Sequence, residues 1–156
     1  MVSNRVRTIA VISIMMLMYS LPMMQGSSTG KFNNSSGCSC HSSGSVTPTH
    51  DFPSSYNPSQ TYSVNIGMTG GVSGTKGGFS LTLSKGTLSN AGTNVQINGL
   101  SATHSNSNSR SWTVDWTAPS ANNGSVSVGL AVNAVNGDGD KTGDSYSATT
   151  HSITET

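Results

Sequence analysis

Charge is what this chain has least of. Only 8% of its 156 residues are Asp, Glu, Lys or Arg, against about a quarter in an ordinary globular protein. The formal net charge is +1, and no run of like charge occurs, which excludes an electrostatic nucleic-acid surface. Aromatic residues are scarce at 6%, so a core must be organised around a few large side chains. Beyond the N-terminus no stretch keeps a 3.6-residue apolar period over ten residues, which excludes amphipathic helices. Gly-x-Ser-x-Gly, His-Glu-x-x-His and phosphate-binding loops are absent, and no carboxylate pair stands out for hydrolysis. The chain is therefore expected not to be an enzyme.

Ser, Thr, Asn and Gly supply most of what remains. A surface solvated by hydroxyls and amides fits an exported protein. The N-terminus agrees: Arg5 and Arg7 precede a nearly unbroken apolar run from Ile9 to Leu21, Pro22 ends it, and Gly26, Ser27 and Ser28 offer small residues for cleavage. The run falls short of the ~18–20 residues of a spanning helix. A signal peptide over 1–26 is expected in preference to an uncleaved anchor helix. No second apolar run follows, and His151 to Thr156 is polar. The mature chain is expected to be secreted or at the cell surface, with no stable transmembrane anchor.

The strongest fold signal is Ser111 to Pro119. Trp112, Val114 and Trp116 alternate with Thr113, Asp115 and Thr117. Strict period-2 alternation marks a strand with one buried face. Both tryptophans of the chain lie on that face, so this strand should sit at the centre of the core. Similar alternation runs through Tyr62, Val64, Ile66 and Met68, through Phe79, Leu81 and Leu83, and through Val126 to Ala134. Shorter strands are expected at Val46 to His50, around Val95 and Ile97, at Ser101 to Ser105, and over Ser145 to Thr154. Phe52 to Pro58 is expected to be a turn-rich corner. Seven or eight strands with turns every 8–12 residues predict an all-β antiparallel sandwich, with a small closed barrel as the alternative. Residues 46–156 would form it. Residues 27–45, rich in Ser, Gly and Asn, would be a linker or extended loop.

Several of these segments resemble the Reeler (reelin N-terminal) domain: Thr103-His104, the strand ending Trp116-Thr117-Ala118-Pro119, and Gly124-Ser125-Val126. The whole mature chain, about 29–154, is similar to the prokaryotic choice-of-anchor V domain. The shared features are a cysteine motif ending in Cys40-His41, the corner Tyr56-Asn57-Pro58-Ser59-Gln60-Thr61-Tyr62, and Asn136-Gly137-Asp138-Gly139 with Gly143-Asp144. The resemblance implies an extracytoplasmic immunoglobulin-like sandwich. With no apolar run after the N-terminal one, the chain is expected to depart from it in having no C-terminal anchor. It also has one residue fewer between its cysteines.

Three readings of Cys38-Ser39-Cys40-His41 stand. Cys-x-x-Cys-His attaches c-type haem, with the His nitrogen on iron; the shorter spacing here narrows the reach of the two sulfurs. The cysteines could instead form a strained local disulfide or remain thiols. Two thiolates and His41 also give three of the four ligands zinc prefers. His104 is the second axial-ligand candidate, against a structural role bonding a loop carbonyl; His50 is a lesser candidate, and His151 reads as an edge residue. Asn136, Asp138, Asp140 and Asp144 place oxygens at nearly alternate positions, as calcium loops do, although Lys141 stands where such loops want glycine; the plainer reading is a hairpin loop. Asn33, Asn34 and Asn123 begin glycosylation sequons. The expected function is a non-enzymatic binding or structural module for an extracellular partner or surface polymer. The alternative is a c-type haem protein passing single electrons.

Overall fold

The computed structural model describes residues 27–37, 41 and 44–156. The expected signal peptide, and Cys38 and Cys40, lie outside the described residues. Among those described there are ten strands and no helix, hence none long and apolar enough to cross a membrane. In chain order the strands are β1 (Val46–His50), β2 (Ser55–Tyr56), β3 (Thr61–Gly70), β4 (Gly77–Leu83), β5 (Thr87–Ser89), β6 (Val95–Asn98), β7 (Ser101–His104), β8 (Ser111–Thr117), β9 (Val126–Ala134) and β10 (Ser145–Glu155). They form two sheets, a four-stranded β1-β3-β8-β5 and a six-stranded β2-β10-β9-β4-β7-β6. Every pairing is antiparallel except β10 with β2, which is parallel. The molecule is an open two-sheet sandwich and not a closed barrel.

Register follows from the alternation. Tyr62, Val64 and Ile66 of β3 oppose Trp116, Val114 and Trp112 of β8. Facing them across the core, Phe79, Leu81 and Leu83 of β4 oppose Val132, Leu130 and Val128 of β9. A one-residue slip in either pair would turn these side chains to solvent, so the buried face fixes the pairing. Trp116 is fully buried, stacks on Tyr62 at 5.6 Å, and meets Tyr56 and Phe52 edge-on at 5.8 and 6.0 Å. Its indole N–H donates to the Lys85 carbonyl at 3.2 Å. The neighbouring Gly86 has φ +95°, and a Cβ there would fall 2.4 Å from the indole nitrogen, so only glycine fits. Trp112 packs on Phe79, with ring centroids 4.7 Å apart, which ties the two sheets together.

The Tyr56–Tyr62 corner closes one end of the sandwich. Tyr56 donates its hydroxyl to the Gly124 carbonyl at 2.7 Å, and the Tyr62 hydroxyl accepts the Asn57 amide at 2.8 Å. Ser59 N–H donates to Pro119 O and Ala118 N–H to Gln60 O. The Glu155 carboxylate accepts the Gly124 and Asn122 amides, which hold its pKa below the usual carboxylate range.

Two short strands, β2 and β5, add to the seven or eight expected. The segment before β1, expected to be a linker or extended loop, is docked on the sandwich. Residues 27–37 contain turns rather than strands, yet they form a strap across the outer face of the six-stranded sheet. Gly30 sits against Thr103 and His104 of β7 so closely that a Cβ would lie 2.2 Å from Thr103 Oγ1. Asn33 N–H donates to Ser101 Oγ of β7 at 2.9 Å, and Asn34 N–H to Ser80 Oγ of β4 at 3.1 Å. Ser35 lies over Gly129 of β9, and Gly37 against the Tyr146 ring of β10. The strap thus crosses β7, β4, β9 and β10 in turn. That explains why Ser80, Ser101 and Thr103, which face away from the core, are buried.

Candidate functional site

The strap does not cover the sheet completely. Between it and the β9–β10 loop lies a cleft of about 360 Å³. Gly77, Gly78 and Phe79 of β4 and Ala131, Val132 and Asn133 of β9 line it, with the Tyr146 ring. Gly78 is needed there: a Cβ would lie 2.4 Å from the His104 ring. Asn133 contributes a buried carboxamide oxygen with no hydrogen-bond partner among the described residues.

Two of the candidate histidines line this cleft, His41 and His104. His41 Nδ1 lies 3.0 Å from Asp144 Oδ2, an ion-pair distance without well-aligned hydrogen-bond geometry. Asp144 is 5% exposed, and its other oxygen accepts the Asn136 amide at 3.0 Å. A carboxylate at one ring nitrogen is the arrangement that orients a histidine to bind through the other. His104 is held differently. Its Nδ1 accepts the Phe79 amide at 3.0 Å and lies 3.2 Å from the Phe79 carbonyl, and the Ser27 carbonyl also approaches the ring. Burial pushes its pKa below the ordinary histidine value, against a smaller opposing pull from those carbonyls. An imidazole that accepts a backbone N–H at Nδ1 carries its proton on Nε2.

The Asn136–Asp144 loop forms one wall. Its oxygens are used locally: Asn136 Oδ1 accepts the Asp138 amide, Asp138 Oδ1 the Asp140 amide, and Asp140 Oδ1 the Thr142 amide, at 2.7–3.1 Å. These are successive Asx turns. The Thr142 hydroxyl and amide hold Asp140 below the usual carboxylate range. Among the described residues no three His, Cys, Asp or Glu side chains converge as a metal site.

His50 and His151 lie elsewhere, where β1 meets β10, with ring centroids 4.9 Å apart. His151 Nε2 donates to the Pro53 carbonyl at 2.9 Å. His50 Nδ1 is buried with no partner among the described residues. Of the sequon asparagines, Asn33 and Asn123 are exposed, whereas Asn34 is half-buried within the strap. Asp115 accepts from Asn90 Nδ2 at 2.6 Å on the outer face of β8. Sequence reasoning missed the cleft itself. Its lysines, glycines and Asn133 are scattered from residue 30 to 141 and converge only through the strap and sheet order.

No protein-family model matches this chain, and no curated protein does. Solved structures do. The Reeler domain of human F-spondin (fragment 1) is similar at TM-score 0.53 and 16% identity, over 82% of this chain and 96% of that one. Fragment 2 gives TM-score 0.51 at 17% identity over 74% and 96%. The Reelin-N domain of F-spondin gives TM-score 0.54 at 17% identity over 82% and 93%. The fold of this chain is the Reeler β-sandwich.

Proposed function

We propose that this protein is an exported, non-enzymatic binding module whose ligand site is the cleft between strap and sheet. The observation that carries the reading is the cleft itself: about 360 Å³, lined by glycine backbone, Ala131 and the Tyr146 ring together with His41, His104 and lysines. The signal-like N-terminus and the polar, weakly charged surface support export. A small-molecule panel screened by thermal shift on the chain from Ser27 tests the binding role. Compounds that raise Tm in the wild type should lose that effect in Asn133→Phe, which fills the cleft, by linkage. A panel with no hits, or hits that persist in the filled variant, would remove the reading. Export is tested by the N-terminal sequence of protein recovered outside the cell, expected to begin near Ser27.

One observation favours a second reading. His41 lines the cleft and follows Cys40 directly in the sequence. The Asp144 carboxylate beside Nδ1 fits His41 for ligation through Nε2. A c-type haem there would supply one-electron chemistry, with Cys38 and Cys40 as attachment points. Intact mass after acid denaturation, on protein made with haem-attachment machinery, decides it. A covalent adduct lost in the Cys38→Ala/Cys40→Ala double variant supports the relay; an apo mass removes it.

A further inference from the structure

The cleft is not electrically neutral, and the chain's own carboxylates show why. All six are engaged with neutral donors or with a histidine. Asp51 accepts from Asn65, Asp115 from Asn90, Glu155 from the Asn122 and Gly124 amides. Asp138 and Asp140 close Asx turns, and Asp144 takes the Asn136 amide and His41. None lies within ion-pair distance of a lysine or arginine among the described residues.

The cations are also unevenly placed. Five are described: Lys31, Lys76, Lys85, Arg110 and Lys141. Lys85 donates to the Asn123 carbonyl, and Arg110 to the carbonyls of Lys76 and Val135. The other three line the cleft from three different elements: Lys31 from the strap, Lys76 from the turn before β4, and Lys141 from the β9–β10 loop. Lys76 lies along Gly137, where a Cβ would come within 2.8 Å of its stem, so that glycine lets it reach over the loop. Asp140, also in the lining, and the buried Asp144 offset part of this charge. The rim remains positive. A cleft with low-dielectric walls and one sign of charge at its mouth concentrates ligands of the opposite sign.

The floor complements the rim. Its lining joins the Gly77–Gly78 backbone, the His104 ring packed on Gly78, Ala131 and the Tyr146 ring. Such a surface accepts a flat apolar body. From the lysine rim above this floor of rings and small residues, we infer that the cleft selects a small ligand with a flat aromatic or apolar body and a carboxylate or sulfonate group, the anion meeting Lys31, Lys76 and Lys141. The inference rests on the cleft being the ligand site.

Two fluorescent probes separate the contributions. Anilinonaphthalene sulfonate carries the anion on an aromatic body; N-phenyl-1-naphthylamine is the same body without it. Titrated into the folded chain from Ser27, the sulfonate should bind about tenfold tighter than the neutral amine. That advantage should shrink as salt is raised, because the lysines are exposed and screened. It should disappear in the Lys31→Gln/Lys76→Gln/Lys141→Gln variant at unchanged Tm, and both probes should be lost in Asn133→Phe. Equal, salt-insensitive binding of both probes, lost only in Asn133→Phe, would overturn the anion preference and leave the cleft as a ligand site. Sulfonate binding that survives Asn133→Phe would overturn both. The salt and probe comparisons need only the wild type, so they decide even where a variant folds poorly.

Discussion

Trp116 is one of the two largest side chains in the core. It is fully buried, meets three aromatic rings, and places its N–H on a carbonyl. Replacing a buried tryptophan by alanine removes its transfer energy and leaves a cavity, so Trp116→Ala should cost ~3–5 kcal/mol in urea unfolding. A loss below about 1 kcal/mol would show that the core is organised elsewhere. His50 makes a different residue-scale prediction. Burial first, and then His151, push its pKa below 6.5, while Asp51 pulls the other way; Phe52 packs on its ring. The unfolded chain then binds the proton more tightly than the folded one. The stability this contributes is complete above about pH 6.5 and is lost as pH falls from there to the lower folded value. Urea midpoints should drop between pH 7.5 and pH 5, and His50→Gln should drop less. An equal drop in both would assign the acid loss to other groups, among them His104, whose pKa is also depressed.

At the scale of elements, the strap and the β9–β10 loop are polar structures held by hydrogen bonds. Ser80→Ala with Ser101→Ala strands the Asn34 and Asn33 amides under the strap. Each orphaned donor should cost about 1–3 kcal/mol. Limited proteolysis should then cut within 27–37 well before the sandwich; cleavage rates equal to wild type would mean that the strap is held by something else. In the loop, one oxygen each of Asn136, Asp138 and Asp140 is engaged by a backbone amide, and among the described residues no three His, Cys, Asp or Glu side chains converge there. Millimolar calcium is therefore predicted to leave Tm unchanged relative to chelator, and a rise abolished by Asp138→Ala would contradict this. These elements also show what sequence can reveal. Strands β3, β8 and β9 were legible because each buries one face, and period-2 alternation records that burial; β4 alternates Phe79, Leu81 and Leu83 in the same way, although the strap buries its other face too. β5 has only Leu88 to bury, and β2 is two residues wedged between prolines, so neither leaves a period to read. The strap was expected to be a linker or extended loop because Phe32 is almost its only apolar residue. Its docking uses backbone amides and strand hydroxyls, which leave no hydrophobic pattern.

For the whole molecule, the polar strap converts one bare sheet face into a third layer with a cleft beside it. The two-sheet core could be anticipated from the tryptophan strand. The cleft could not, because it joins residues from the strap, β4, β9 and the β9–β10 loop that no local pattern connects. Amide chemical-shift mapping with anilinonaphthalene sulfonate tests the central claim most directly. If the cleft is the ligand site, the shifts should concentrate on Gly77, Gly78, Ala131, Val132 and Gly137, leaving Ser63, Asn65 and Thr113 of the four-stranded sheet unmoved. Shifts centred on that opposite sheet would contradict the account.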